Sequence, residues 1–119
     1  MSNLILGESV GIHLLVNVYH IPKKERLEYL VYGLPYLNEM VRELDLHIVA
    51  QAGHQFPPVG YSYAYVLSES HLTIHTYPEH QSCYIDIFCC NSEFSPAHAI
   101  RLIQRIFETQ SVQYQVIQR

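Results

Sequence analysis

Three short runs of alternating residues limit what this chain can fold into more than any other feature. The runs cover residues 61–67, 71–77 and 83–89, and each is rich in β-branched and aromatic side chains. Alternation over seven residues is typical of a half-buried strand, and the runs are separated only by short turns. We therefore expect a largely antiparallel sheet.

The remaining elements fit around this sheet. Residues 11–19, 47–56 and 111–117 form three further predicted strands. Apolar residues follow a 3.6 period from Pro22 to Leu44, which predicts a helical region broken or kinked at Gly33 and Pro35. Ser95 and Pro96 form a cap and first turn for a second helix, whose apolar stripe is Ile100, Ile103 and Phe107. The expected fold is an α+β two-layer sandwich, with two helices packed on one face of a mainly antiparallel sheet.

Composition narrows the class of protein. A chain of 119 residues with 49% hydrophobic residues is sufficient for one domain spanning 1–119. The net charge of −4 provides no basic surface for nucleic acid. No apolar run approaches the roughly 20 residues of a membrane helix, and the N-terminus carries Glu8 where a secretory signal needs an apolar core. We expect a cytoplasmic protein with no membrane partner.

The cysteines agree with a reducing compartment. The chain has three cysteines, Cys83, Cys89 and Cys90, and no C-x-x-C pair. An odd number without this spacing predicts free thiols and no structural zinc site. His71 and His75 would share a metal ion only on a helix. On a strand, four residues span about 13 Å, which is too far for one ion. No metal site is predicted.

The segment SESHLTIHTYPEH, residues 68–80, gathers hydroxyls, imidazoles and carboxylates between apolar flanks. It resembles the self-cleavage signature of the short, prokaryotic-type S-adenosylmethionine decarboxylases. The likeness extends over about residues 11–90, including HQFPPVG before the segment and IDIFCC after it. The resemblance implies cleavage between Glu69 and Ser70 into chains 1–69 and 70–119.

The resemblance also implies roles for individual residues. Ser70 attacks the carbonyl of Glu69 and becomes a pyruvoyl group, which forms a Schiff base with the substrate amine. His75 is similar in position to the processing base, Ser62 to a serine that assists processing, and Cys90 to the proton donor of decarboxylation. Imidazole suits proton transfer near neutral pH, and a thiol serves as an acid when its pKa is near neutrality.

Strand alternation and the lysine inventory support this interpretation. Ser62 shares a strand face with Ala64 and Val66, and a tight reversal near Ser70 would bring that face beside His75. Register is left open by the sequence. Lys23 and Lys24 are the only lysines, and their place at a solvated helix start leaves no convincing anchor for pyridoxal phosphate.

The substrate positions match the family less closely. Phe56 and Tyr77 resemble the two aromatic residues that stack on adenine, and Glu79 resembles the carboxylate that accepts the ribose hydroxyls. Gln81 and Ser82 replace a usual Gly-Tyr pair. The arginine usual between Gly11 and His13 is also absent. These departures affect the prediction of the substrate more than the prediction of the pyruvoyl cofactor.

Three functions remain open from the sequence. The first is S-adenosylmethionine decarboxylase, which supplies the aminopropyl donor for spermidine synthesis. The second keeps the fold and the pyruvoyl group but acts on L-ornithine or L-arginine. The third is a non-catalytic binding or regulatory homologue with Ser70 intact, since a turn serine, a core histidine and a buried cysteine are each common singly. The resemblance further implies a homodimer whose active sites draw on both protomers.

Overall fold

A computed structural model describes residues 10–119 of the chain, which contain six strands, three α-helices and a short 3-10 turn at Pro78–His80. The N-terminal segment 1–9, which includes Glu8, lies outside the described residues. The strands are β1 (Ile12–Val18), β2 (Ile48–Gln55), β3 (Tyr61–Leu67), β4 (His71–Tyr77), β5 (Ser82–Cys89) and β6 (Val112–Gln118). The helices are α1 (Glu25–Glu28), α2 (Leu30–Glu43) and α3 (Pro96–Phe107).

All six strands belong to one sheet, with the order β2-β3-β4-β5-β1-β6. Every neighbouring pair is antiparallel. The three alternating runs of residues 61–67, 71–77 and 83–89 correspond to β3, β4 and β5, which lie side by side in chain order because short turns connect antiparallel neighbours. The predicted antiparallel α+β fold is therefore confirmed.

The sheet has a packed face and an open face. On the packed face, alternate strand residues join the apolar sides of α2 and α3 in one core, in which Tyr65, Ile74 and Ile85 are fully buried. Burying a large apolar side chain contributes about 1.5–3 kcal/mol, so this layer holds the helices on the sheet. The opposite residues form the open face, which carries Ser62, Thr73, His75, Tyr84 and Asp86. No described helix packs on that face.

The first helical region is interrupted at a different place from the one predicted. Tyr29 has extended backbone angles, φ −127° and ψ 123°, and separates α1 from α2, while Pro35 lies inside α2. Pro35 lacks a backbone N–H, so the helix loses one hydrogen bond to the carbonyl of Val31. Val31 is exposed to solvent, so water can bond to that carbonyl instead. Gly33 serves close packing, because a Cβ there would lie 2.0 Å from the Tyr61 hydroxyl oxygen. The expected break at Gly33 and Pro35 is wrong, and the described residues contain three helices instead of two.

The second predicted helix, α3, has the expected start. The hydroxyl of Ser95 accepts a hydrogen bond from the backbone N–H of His98 at 3.2 Å, and Pro96 occupies the first turn. Its predicted stripe is buried in the core. No helix within residues 10–119 combines the length and the apolar character needed to cross a bilayer.

Candidate active site

The predicted cleavage bond lies in a tight hairpin between β3 and β4. The backbone N–H of Leu67 donates to the carbonyl of Ser70 at 2.9 Å, so only Ser68 and Glu69 form the loop. The N–H of Ser68 donates to the carbonyl of His47 at 3.1 Å, which ties the turn to the start of β2. The peptide bond between Glu69 and Ser70 is thus held at the end of the sheet.

Cys90, which follows β5, contacts both sides of this bond. Its backbone N–H donates to the Ser70 hydroxyl oxygen at 3.1 Å, and its thiol donates to the Glu69 carbonyl oxygen at 3.2 Å. The first contact orients the hydroxyl, and the second draws electron density from the carbonyl that a nucleophile would attack. Cys90 therefore lies at the predicted cleavage bond of the uncut chain, in addition to its predicted role as proton donor after cleavage.

A cavity of about 340 Å³ opens beside the hairpin. Ser70, Glu69 and Cys90 line it together with Asp45 and His47, two residues that no sequence pattern indicated. They reach the cavity through the connection between α2 and β2, where Asp45 has a positive φ of 57°. A single positive-φ residue at a helix end is common, so no sequence signal distinguished these two positions.

Ser62 and His75 form a second polar pair. They are direct partners in the β3–β4 register, and the Ser62 hydroxyl oxygen lies 2.6 Å from Nδ1 of His75. The side chains meet because both residues face the open side of the sheet, which is the arrangement expected from a tight reversal near Ser70. The pair combines a hydroxyl with an imidazole, which is the arrangement required to pass a proton.

Within one chain, Ser70 and His75 are far apart. His75 follows Ser70 by five positions of extended chain, which correspond to about 16 Å. The hairpin brings the Ser62 face beside His75, as expected, but it leaves Ser70 at the strand end. The structure joins Ser70 to Cys90 and Ser62 to His75, but it does not join the two pairs.

The three predicted substrate residues share one cavity. A space of about 470 Å³ is lined by Phe56, Tyr77 and Glu79 together with Ser62 and His75. The rings of Phe56 and Tyr77 are 45% and 41% exposed, so their apolar surfaces are free to contact a ligand. A carboxylate beside two open aromatic rings suits a ligand that has both a flat ring and hydroxyl groups.

Comparison with known proteins identifies the family. A family model described as S-adenosylmethionine decarboxylase matches residues 12–119. The chain belongs to this family. The match includes every residue of the hairpin, both polar pairs and the aromatic cavity, so the resemblance stated from the sequence is confirmed.

Individual relatives agree with the family assignment. An S-adenosylmethionine decarboxylase proenzyme of Clostridium botulinum strain Hall is 39% identical over 94 residues, which are 79% of this chain and 80% of the relative. A protein of the same name from Fervidobacterium nodosum is 34% identical over 103 residues, covering 87% of this chain and 74% of the relative. The similarity therefore extends over most of both chains.

Solved structures support the fold. The adenosylmethionine decarboxylase of Aquifex aeolicus superposes with a TM-score of 0.84 at 23% identity, covering 95% of this chain and 92% of that one. The Trypanosoma brucei AdoMetDC-delta26 monomer gives a TM-score of 0.67 at 18% identity, covering 88% of this chain and 45% of that one. The second coverage indicates that the trypanosomal chain is about twice as long as this one.

Two departures from the S-adenosylmethionine decarboxylase pattern, Gln81 and Ser82, lie just before and at the start of β5. Gln81 has a positive φ of 51°, a conformation that favours glycine, and its carbonyl accepts from the N–H of Ile21 at 3.0 Å. Ser82 is covered by its neighbours and lies opposite Tyr77 in the β4–β5 register. Neither residue lines the cavity of Phe56 and Tyr77. These two changes therefore alter the surroundings of that cavity and leave its lining intact.

The third departure concerns His13. Although no arginine precedes His13, the guanidinium of Arg119 lies 3.2 Å from its Nδ1. On the other side, Nε2 of His13 lies 3.7 Å from a carboxylate oxygen of Asp86. Asp86 thus faces a side chain of its own protomer.

The other two cysteines of this family member belong to the core. Cys83 and Cys89 are buried on the packed face, and burial raises the pKa of the Cys83 thiol well above its ordinary range. A thiol held protonated in an apolar layer is a poor nucleophile. Within residues 10–119, no group of three or more His, Cys, Asp or Glu side chains is arranged to hold a metal ion.

Proposed function

We propose that this chain is a pyruvoyl-dependent S-adenosylmethionine decarboxylase that matures by cutting itself between Glu69 and Ser70. Maturation gives chains 1–69 and 70–119. The observation that carries the proposal is the double contact of Cys90, whose N–H holds the Ser70 hydroxyl while its thiol holds the Glu69 carbonyl. Family membership and the curated relatives, which are named proenzymes, support the same reaction.

The cleavage uses groups that are already adjacent. The Ser70 hydroxyl oxygen attacks the carbonyl carbon of Glu69, the C–N bond breaks, and the chain is joined by an ester while the Ser70 amine becomes free. Charge that develops on the Glu69 oxygen is stabilised by the thiol of Cys90. A base then removes the Cα proton of Ser70, the Glu69 carboxylate leaves, and water converts the dehydroalanine to pyruvoyl with release of ammonia.

A homodimer resolves the separation between the two polar pairs. We assign the base to His75 of the partner subunit, because the chain's own His75 lies about 16 Å along the strand from Ser70. The open face has no covering helix in the described residues, and Ser62 and His75 are displayed on it. Stacking two open faces about a two-fold axis would bring each Ser62–His75 pair toward the other protomer's hairpin.

The residues around position 70 fit a pyruvoyl group. A pyruvoyl carbonyl supplies an electron sink for decarboxylation, in the manner of pyridoxal phosphate. Cys90 lies beside the position where that group would form, and its thiol is free to deliver a proton once the Glu69 carboxylate has left. The cavity beside the hairpin leaves space for a substrate at this end of the sheet.

The residues that line the cavity of Phe56, Tyr77 and Glu79 indicate the substrate. Phe56 and Tyr77 offer aromatic faces for adenine, and Glu79 offers acceptors for ribose hydroxyls. Ornithine and arginine have no heterocyclic ring that could stack between two aromatic side chains, and they have no ribose. None of the similar proteins reported above is named as an ornithine or arginine decarboxylase. A decarboxylated S-adenosylmethionine product would serve as the aminopropyl donor for spermidine synthesis in the cytoplasm.

Intact-mass measurement of freshly expressed protein tests maturation directly. We expect two fragments, the second beginning with a blocked pyruvoyl group, and a single unbroken chain in a Ser70→Ala variant. Release of carbon dioxide is then measured with S-adenosylmethionine, L-ornithine and L-arginine in parallel. An unbroken wild-type chain would support the non-catalytic alternative. Release of carbon dioxide from L-ornithine or L-arginine alone would support a decarboxylase of basic amino acids.

A further inference from the structure

Three tyrosine rings form a row on the open face, leading away from the aromatic cavity. The ring centroids of Tyr77 and Tyr84 are 5.4 Å apart with an interplanar angle of 67°. The centroids of Tyr84 and Tyr19 are 6.4 Å apart with an angle of 84°. Both contacts are edge-to-face, the geometry that aromatic pairs prefer.

Tyr84 is the middle ring and lies behind the cavity. It is the direct cross-strand partner of His75, and Tyr77 is its diagonal neighbour on the same face. Tyr77 lines the cavity, whereas Tyr84 does not. Ser82, opposite Tyr77, has a side chain too small to support a ring, so the lateral support for Tyr77 comes from Tyr84.

We propose that Tyr84 is a positioning residue for substrate binding, which holds the ring of Tyr77 in the orientation that forms a cavity wall. This inference rests on the proposed function, in which Tyr77 stacks on the adenine of the substrate. An exposed tyrosine without lateral contacts samples several rotamers, and fixing one of them at binding reduces affinity. The row of Tyr19 and Tyr84 fixes the ring of Tyr77 before the substrate arrives.

The test separates substrate binding from catalysis. We expect Tyr84→Ala to raise KM about three- to tenfold, the range given by one aromatic pair, while kcat per cleaved chain changes less than twofold. Tyr84→Phe keeps the ring and is expected to retain the wild-type KM. Tyr32→Ala is the matched control, because Tyr32 forms a similar edge-to-face pair with Tyr29 on the helical side, at 5.9 Å.

A second measurement is independent of maturation. In the uncleavable Ser70→Ala protein, the dissociation constant of S-adenosylmethionine is measured by calorimetry with Tyr84→Ala, Tyr77→Ala and both changes together. We expect Tyr84→Ala to weaken binding when Tyr77 is present and to have no further effect in its absence.

The outcomes distinguish the two proposals. If Tyr77→Ala weakens binding and Tyr84→Ala does not, the positioning role is wrong and the proposed function stands. Equal weakening by Tyr84→Ala with and without Tyr77 would also overturn the positioning role. If the nucleoside does not bind to the Ser70→Ala protein at all, the substrate assignment itself fails.

Discussion

The thiol of Cys90 lies 3.2 Å from the carbonyl oxygen of Glu69, across the bond that the S-adenosylmethionine decarboxylase family is expected to cut. The same residue's N–H lies 3.1 Å from the Ser70 hydroxyl. One residue thus contacts both the electrophile and the nucleophile of the proposed cleavage. Its side chain and its backbone make separable contributions, because a substitution removes only the former.

We predict that Cys90→Ala slows self-cleavage by about tenfold to a hundredfold without abolishing it. Loss of one donor to a developing oxyanion typically costs about 10²–10³-fold, but a thiol is a weak donor and the backbone N–H of residue 90 is retained in the variant. Cys90→Ser, which restores a donor, is expected to recover part of the rate. Cleavage is followed as the fraction of full-length chain over time, and an unchanged rate in Cys90→Ala would contradict this role.

The shared active site predicts complementation between two inactive variants. Ser70→Ala and His75→Ala are each expected to give no pyruvoyl-blocked fragment when expressed alone. When they are co-expressed with different tags, the His75→Ala chain is expected to mature, because the Ser70→Ala partner supplies a histidine. Intact mass identifies which chain is cut, and a failure of the mixed dimer to mature would indicate that each chain uses its own His75.

We predict that Gly33→Ala destabilises the fold by about 1–3 kcal/mol. An added Cβ would lie 2.0 Å from the Tyr61 hydroxyl oxygen, which is fixed by its 2.6 Å hydrogen bond to the carbonyl of Arg26. The free energy of unfolding is measured with urea in the Ser70→Ala background, so that a single chain unfolds. Tyr61→Phe combined with Gly33→Ala is expected to cost less than the sum of the two separate changes.

Native alkylation is expected to discriminate among the cysteines. With iodoacetamide at pH 7–9, Cys90 reacts because it is partly exposed, whereas Cys83 stays unmodified. Burial raises the pKa of Cys83, so raising the pH within this window forms no reactive thiolate there. Peptide mass mapping locates the label. Modification of Cys83 before unfolding would show that the packed face opens.

Sequence patterns predicted the sheet well, because alternation in β3, β4 and β5 follows directly from their burial. They failed at Tyr29, where the helix is interrupted by a residue of ordinary helix propensity while Pro35 is tolerated on the solvent side. Alternation assigned Ser62 and His75 each to one face of its own strand, but their common face and direct pairing needed the hairpin register. Asp45 and His47 were missed because only tertiary structure brings the end of α2 to the cleavage turn.

The strand order has a consequence for the cut protein. Chain 1–69 would contribute β1, β2 and β3, and chain 70–119 would contribute β4, β5 and β6. In the order β2-β3-β4-β5-β1-β6, three of the five neighbouring pairs, β3–β4, β5–β1 and β1–β6, join the two pieces, and β1 is inserted between two strands of the other. The two halves of a cut chain would therefore be interlocked, so that cleavage would open the turn and leave the scaffold that presents the new terminus intact.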